Sequence, residues 1–179
     1  MRRSSVAALL VGVLALAACE QHMPVQYGPD GRPLPQLYSI NSSQTGRIQL
    51  RMLDSVNTLR QASGAAPLQL NAQLNAAAAT HARDMSVQNR PWHFGSDGSS
   101  PLDRVQRAGY PGTMLGELIS ETYETELETL GAWMEDPNTR AVLLAPEARD
   151  MGFNFHQDPN GKIWWTLVTG GGSRLVAGL

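Results

Sequence analysis

Apolar residues recur every three or four positions in the first half of the chain, which is the spacing of amphipathic helices. In the first such segment, residues 47–60, the apolar positions are Ile48, Met52, Val56 and Leu59. Gly64 follows this segment as a stop signal. A second helix is predicted from the cap Asn71 through the alanine run at 76–79 to about Met85, and the alanines favour close packing against a neighbouring element.

The second half of the chain combines helix start signals with two stretches of strand character. Helices are predicted at Ser100–Gly109, at Tyr123–Met134 and after the cap Asp136-Pro137. Met151–His156 and Ile163–Thr169 flank a turn at 158–161 and predict a β-hairpin. We therefore predict an α+β domain, a three-layer α-β-α sandwich in which helices cover both faces of a small antiparallel sheet.

The first eighteen residues have the composition of a secretion signal. Arg2 and Arg3 precede the apolar stretch Val6–Leu16, which is shorter than the roughly 20 residues that a helix needs to cross a bilayer. The run Leu16-Ala17-Ala18-Cys19 resembles the bacterial lipobox, which implies cleavage before Cys19 and lipidation of its sulfur. Cys19 is the only cysteine, so no intramolecular disulfide is expected. The alternative is an ordinary secreted protein with an incidental cysteine.

The residues after Cys19 predict a tether rather than part of a core. Residues 19–45 contain four prolines and several polar residues, a composition that holds a chain extended. We place the domain at 46–172 and a C-terminal tail at 173–179. The lipid would hold the chain on a membrane, in the cell envelope, facing the periplasm or the cell surface. Because Glu20 rather than Asp follows the cysteine, the lipobox resemblance favours the outer membrane.

Composition narrows the possible functions. Of the 179 residues, 42% are hydrophobic and 17% are charged, which fits one globular domain. The formal net charge is −2, so nucleic acid is not expected as a partner. No Lys or Arg occurs between Arg107 and Arg140, and the acidic stretch 121–128 lies within that segment. Such a stretch predicts either a solvated helix face or a surface for a basic partner.

Five motifs follow one another in a fixed order. They are Thr80–Met85, Trp92–Arg104, Gly116-Glu117-Leu118, Trp133–Leu144 and Trp164–Val168. Together they resemble the bacterial branch of the CAP superfamily, also called SCP-like, over about 48–170. Members of that branch have a helical HAxDM stretch, an H-x-G-x-D-G-x-S-P-x-D-R run, a GEN turn and an SPGHRANLL helix. The resemblance implies an α-β-α sandwich with a cleft in which two histidines and two acidic residues gather a divalent cation.

The resemblance assigns cleft positions to four residues of this chain. His93 and Glu117 match a histidine and a glutamate of the metal site, and Asp136 fills the remaining acidic position, for which Glu135 is an alternative. The second histidine is replaced by Thr139, so only a weakly bound divalent cation such as zinc is implied, and no cofactor is certain. Two roles for His93 remain open: it is either a ligand in the cleft or a structural histidine hydrogen-bonded to Glu117. His22, His81 and His156 are expected to have structural roles.

The leading functional hypothesis is a membrane-tethered, noncatalytic module. It would bind an apolar or glycan-like ligand, or an envelope protein, through a cleft near His93 and Glu117. Thr139 and the absence of a nucleophile motif motivate this hypothesis. One alternative is a metal-dependent hydrolase of peptides or peptidoglycan. The other is a pure protein-interaction module that uses the acidic stretch 121–128.

Overall fold

The computed structural model describes residues 38–173. Within this range the helices are α1 (Thr45–Ala62), α2 (Ala72–Gln88), α3 (Pro101–Arg107), α4 (Glu126–Glu135) and α5 (Pro137–Leu144), and a 3-10 turn at Ser42–Gln44 precedes α1. The strands are β1 (Gln69–Leu70), β2 (Gly112–Thr122), β3 (Asp150–Gln157) and β4 (Ile163–Ser173). The predicted signal peptide, Cys19, most of the predicted tether and residues 174–179 of the tail lie outside the described residues.

The four strands form one sheet in the order β1-β3-β4-β2. β4 pairs antiparallel with β3 on one side and with β2 on the other. The predicted antiparallel sheet is therefore confirmed for these three strands. β1 adds a parallel pair, in which Gln69 and Leu70 align with Asp150 and Met151 of β3. Two residues are too few to produce an alternating pattern, so the sequence did not predict β1.

β2 corrects the predicted turn around Glu117. The strand runs from Gly112 to Thr122 and pairs with β4 over nearly its whole length. It lies at the edge of the sheet, and most of its side chains are half-buried rather than alternately buried and exposed. Because the usual alternation is missing, the pattern gives no strand signal. Glu117 thus lies in the middle of a strand, with its backbone fixed by the sheet.

Helices cover both faces of the sheet, as predicted for a three-layer sandwich. On one face, α1, α4 and α5 pack against core residues that include Leu118, Trp165 and Leu167. On the other face, α2 and α3 pack against Val168. The two clusters alternate along β4, since residues 165 and 167 belong to the first cluster and residue 168 to the second. We call the second group of helices the α2–α3 layer.

The α2–α3 layer approaches the sheet closely because small residues occupy the contact. A Cβ atom on Gly152 of β3 would collide with the backbone of Leu74 in α2. Asn75 Oδ1 accepts a hydrogen bond of 2.8 Å from the backbone N–H of Phe153 at the same crossing. The alanine run that predicted close packing of α2 therefore serves that purpose, with Ala77 and Ala78 buried.

Two boundaries differ from the sequence-based expectations. α4 begins at Glu126 rather than near Tyr123, because Thr125 and Glu128 form a capping box that fixes the helix start. The domain begins before residue 46, since Tyr38 and Ile40 pack against the core. The hydroxyl of Tyr38 donates a 3.0 Å hydrogen bond to Glu126 Oε2. In the described range 38–173, every helix falls short of the length and apolar content needed to cross a bilayer.

Candidate functional site

Folding brings His93 and Glu117 into direct contact. His93 Nδ1 lies 2.9 Å from Glu117 Oε1. The carboxylate can only accept, so Nδ1 carries the proton and donates it. In a neutral ring, Nε2 then presents its lone pair. The Glu117 side chain is 3% exposed whereas that of His93 is 51% exposed, so the imidazole is the part of the pair that a ligand can reach.

Arg104 is the main partner of Glu117. Its Nη2 lies 2.9 Å from Oε1 and 2.8 Å from Oε2 of the carboxylate, and its side chain is only 4% exposed. The same guanidinium donates to the carbonyl oxygens of His93, at 3.0 Å, and Ser99, at 3.1 Å. Arg104 therefore holds the carboxylate and both ends of the loop that carries His93.

The position of Arg104 follows from local sequence signals around α3. Ser100 caps the helix, and its side chain and that of Asp103 form a capping box. Pro101 occupies the first turn, where a missing backbone N–H costs nothing. Arg104 comes one turn later and is buried. The sequence analysis included Arg104 as the last residue of the motif that contains His93 but did not assign it to the site, although its place in that motif was the available signal.

His81 completes the arrangement from α2. Its Nε2 donates to the carbonyl oxygen of Trp92 at 2.9 Å and lies 3.7 Å from Glu117 Oε1. Burial lowers the pKa of His81, and the nearby Glu117 carboxylate opposes that shift. The hydrogen-bonded role expected from the sequence agrees with this contact, and the structure adds that the ring lies beside the site. We refer to His81, His93, Arg104 and Glu117 as the His93–Glu117 site.

Among the described residues, Asp136 and Thr139 make no hydrogen bond or ion pair with His93 or Glu117, and their place in the cleft stays a prediction. A Cβ atom on Gly116 would lie 2.6 Å from Val142 Cγ1, so α5 covers the face of β2 toward which residue 116 points. Neighbouring side chains of a strand point to opposite faces, and Glu117 therefore points away from α5. Thr139 Oγ1 donates to the carbonyl oxygen of Trp133. Asp136 caps α5 by accepting from the N–H of Asn138 at 2.7 Å.

Comparison with known proteins identifies the family of this fold. A model of the Cysteine-rich secretory protein family, abbreviated CAP, matches residues 53–169. The chain belongs to the CAP family. It is 27% identical over 122 residues to the uncharacterized protein YkwD of Bacillus subtilis (strain 168), a match that covers 68% of this chain and 47% of YkwD. The chain thus spans about half the length of that curated relative.

Solved structures show the same CAP fold. An extracellular protein containing a SCP domain from Bacillus anthracis str. Ames superposes with a TM-score of 0.67 at 18% identity, over 75% of this chain and 45% of that chain. An outer surface protein from Borrelia burgdorferi gives a TM-score of 0.61 at 14% identity, over 76% of this chain and 98% of that chain. These likenesses confirm the predicted α+β sandwich.

The residues at this CAP site do not fit the divalent cation that the family resemblance implies. Glu117 Oε1 accepts from both His93 and Arg104, which uses its two lone pairs. A cation on Oε2 would lie beside the buried guanidinium and would be repelled by it. Among residues 38–173, no group of three or more His, Cys, Asp and Glu side chains is arranged to hold a metal ion. Arg104 supplies the positive charge that Glu117 requires.

Aromatic side chains adjoin His93 on both sides in the chain. Trp92 and Phe94 lie with their ring centroids 5.6 Å apart, and Arg90 lies 4.0 Å from the centroid of Trp92. The side chain of Phe94 is exposed, although large apolar residues are usually covered. Two consecutive residues of this CAP domain, His93 and Phe94, therefore each expose their side chain at the surface.

The acidic stretch 121–128 presents less free charge than the sequence suggested. Glu126 is buried and forms a 2.6 Å ion pair with Arg51. Glu128 caps α4, and Glu121 accepts from Lys162 Nζ at 2.9 Å. Glu124 has no such partner among the hydrogen bonds and ion pairs of the described residues. Most of these carboxylates thus serve the fold of the CAP domain itself.

Proposed function

We propose that this chain is a lipid-anchored recognition module outside the cytoplasm, which binds a glycan-like ligand at the His93–Glu117 site without a metal ion and without catalysis. One observation carries this proposal: the Glu117 carboxylate is already paired with the buried guanidinium of Arg104. A carboxylate held in this way acts as an anchor for the imidazole. The ring then offers Nε2 to a ligand in a fixed orientation.

The exposed side chains of His93 and Phe94 support a sugar as the ligand. A sugar ring has hydroxyls that hydrogen-bond and a C–H face that packs on aromatic rings. His93 Nε2 matches the first requirement, and the exposed ring of Phe94 matches the second. The lipidated Cys19 and the tether would place the domain beside the envelope. Two proteins of similar structure, an extracellular protein and an outer surface protein, support such a location.

A retention assay tests the proposed binding. The full chain, in detergent and with EDTA present, is passed over chitin beads and over insoluble peptidoglycan. We expect retention on at least one of these matrices, and we expect His93→Ala and Phe94→Ala each to reduce the affinity about tenfold, the effect of losing one contact worth about 1.4 kcal/mol. Leu50→Ala is the matched control, because Leu50 is an exposed apolar residue on α1, in the other helical layer.

Three results would contradict the proposal. Retention in a parallel run without EDTA that is lost when EDTA is present would favour a metal-dependent site. Release of soluble fragments from the matrix would favour the hydrolase alternative. Failure of the chain to be retained on either matrix would remove the glycan-like ligand, and with it the role assigned to Phe94.

A further inference from the structure

A cavity of about 540 Å³ lies between α2 and α3, under the loop that follows His93. Its walls carry small side chains, Ala76 and Ala77 from α2 and Ala108, which caps the C-terminus of α3. Its volume is within the range of about 300–1,000 Å³ that small-molecule sites occupy. Its lining shares Arg104 with the His93–Glu117 site but includes neither His93 nor Phe94, the side chains that contact the ligand in the proposed function, so the inference below goes beyond that function and does not depend on it.

The acceptors at the polar end of this cavity are already engaged. Asp84 accepts from the backbone N–H and the hydroxyl of Ser96, both at 2.6 Å. Asp97 accepts from Arg107 Nη1 at 2.5 Å and from the backbone N–H of Ser99 at 2.9 Å. Both carboxylates therefore fix the loop in place and offer little to a bound cation.

Donors, in contrast, remain available in the same lining. Arg83 is exposed and makes no hydrogen bond or ion pair with the described residues, and Arg107 uses only Nη1. The buried Nε–H of Arg104, a residue of the cavity wall, has no acceptor among the described residues. Of the three arginines in the lining, Arg104 pairs with Glu117 and Arg107 pairs with Asp97, so Arg83 is the one without a carboxylate partner among the described residues.

We propose that this cavity binds the carboxylate of a small molecule whose remaining part packs against the alanine wall. The planar guanidinium of Arg83 matches the two oxygens of a carboxylate. One carboxylate on the ligand would pair with this guanidinium, which has no carboxylate partner among the described residues. Such a carboxylate occurs both at the C-terminus of a short peptide and in a sugar acid. The two sources share the chemistry that the cavity recognises.

Two matched pairs of probes test this proposal by calorimetric titration of the full chain. N-acetylmuramic acid is compared with N-acetylglucosamine, which lacks the lactyl carboxylate. N-acetyl-alanyl-alanine is compared with its C-terminal amide. We expect at least one acid to bind and its neutral partner to bind about tenfold more weakly, as for the loss of a charge-assisted contact. The pair that shows this difference identifies the source of the carboxylate.

Surface variants locate the binding without disturbing the His93–Glu117 site. Arg83→Gln removes the free guanidinium, and Ala76→Leu fills the cavity while keeping its charges; each should weaken binding of the acid about tenfold. Arg47→Gln is the matched control, because Arg47 is an exposed arginine at the start of α1. Equal affinity for an acid and its neutral partner, unchanged affinity in Arg83→Gln, or no heat from any of the four probes at millimolar concentration would overturn the proposal.

Discussion

Replacing Arg104 with methionine tests whether Glu117 depends on an internal counter-charge. Both side chains are nearly inaccessible, with exposed fractions of 4% for Arg104 and 3% for Glu117. Methionine fills similar volume but leaves the carboxylate with the hydrogen bond from His93 alone. It also removes the donors to the carbonyl oxygens of His93 and Ser99. Breaking a buried ion pair from one side costs about 3–5 kcal/mol, and we expect Arg104→Met to fall in this range.

Urea unfolding and thermal unfolding, both followed by tryptophan fluorescence, measure the loss of unfolding free energy and of Tm. Trp133, Trp164 and Trp165 are buried, so their emission reports the integrity of the core. For a domain of this size, each kcal/mol lowers the Tm by about 3 °C, so the variant should melt roughly 10 °C or more below the unsubstituted chain. Arg107→Met is the matched control. Its ion pair with Asp97 is exposed, and such pairs contribute about 0–1 kcal/mol.

A double-mutant cycle separates the ion pair from the other contacts of Arg104. Glu117→Gln removes the negative charge but keeps an acceptor for His93. If the pair is coupled, Arg104→Met combined with Glu117→Gln should be less destabilised than the sum of the single variants, by about 1–3 kcal/mol. An Arg104→Met variant that loses no more stability than Arg107→Met, or strictly additive effects in the cycle, would refute the reasoning.

Three further predictions concern other parts of the chain. Burial lowers the pKa of His81 in the folded chain, so below the ordinary pKa of about 6.5 the unfolded chain binds more protons and the unfolding free energy decreases. His81→Gln should therefore flatten the dependence of unfolding free energy on pH between 7 and 5. An unchanged slope would contradict this. Thr139→His should leave zinc affinity unchanged in calorimetry, because α5 lies on the face of β2 opposite Glu117, and a newly formed tight site would disprove that placement. Cys19→Ser should move the chain from the membrane fraction to the soluble fraction of expressing cells, and continued membrane association would exclude lipidation as the anchor.

The helices were predictable because their signals are local. Asn71 caps α2 through Oδ1, which accepts from the backbone N–H groups of Gln73 and Leu74. Ser100 and Pro101 start α3 as expected. Such caps satisfy backbone donors within three residues, so the sequence contains the whole interaction. The apolar spacing of α1 similarly reports one face that is buried, with Ile48, Met52 and Val56 inaccessible.

The partners of Glu117 were not predictable by the same means. His93 was paired with Glu117 through a family resemblance, and the structure brings the two groups together. Arg104 is buried only because its contacts with Glu117, His93 and Ser99 replace the water that a guanidinium loses on burial. These contacts depend on how β2, α3 and the intervening loop pack. A sequence gives no distance between such elements, so from the sequence alone Arg104 is indistinguishable from an ordinary residue of a helix.

The prediction for Thr139 depends on which face of β2 carries Glu117. The motif match placed Thr139 beside Glu117 because the two positions belong to one metal site in the resembling proteins. In this chain the two faces of β2 point to different helical layers. Residue 116 points towards Val142 of α5, and Glu117 points towards the α2–α3 layer. A shift of one residue along a strand reverses the face, and no motif records it when the strand itself is not recognised.

The serines that follow His93 bear on whether the site is built for binding or for catalysis. A nucleophilic hydroxyl must lie within about 2.6–3.2 Å of its base. The Ser96 hydroxyl instead donates to Asp84 Oδ1 at 2.6 Å, and the backbone of Ser99 is held by Asp97 and Arg104. Within residues 38–173, His93 Nε2 makes no hydrogen bond to a hydroxyl. With Glu117 occupied by Arg104 and these serines directed elsewhere, the exposed imidazole has the setting of a hydrogen-bonding group for a ligand, which supports the proposed recognition role over Ser–His hydrolysis.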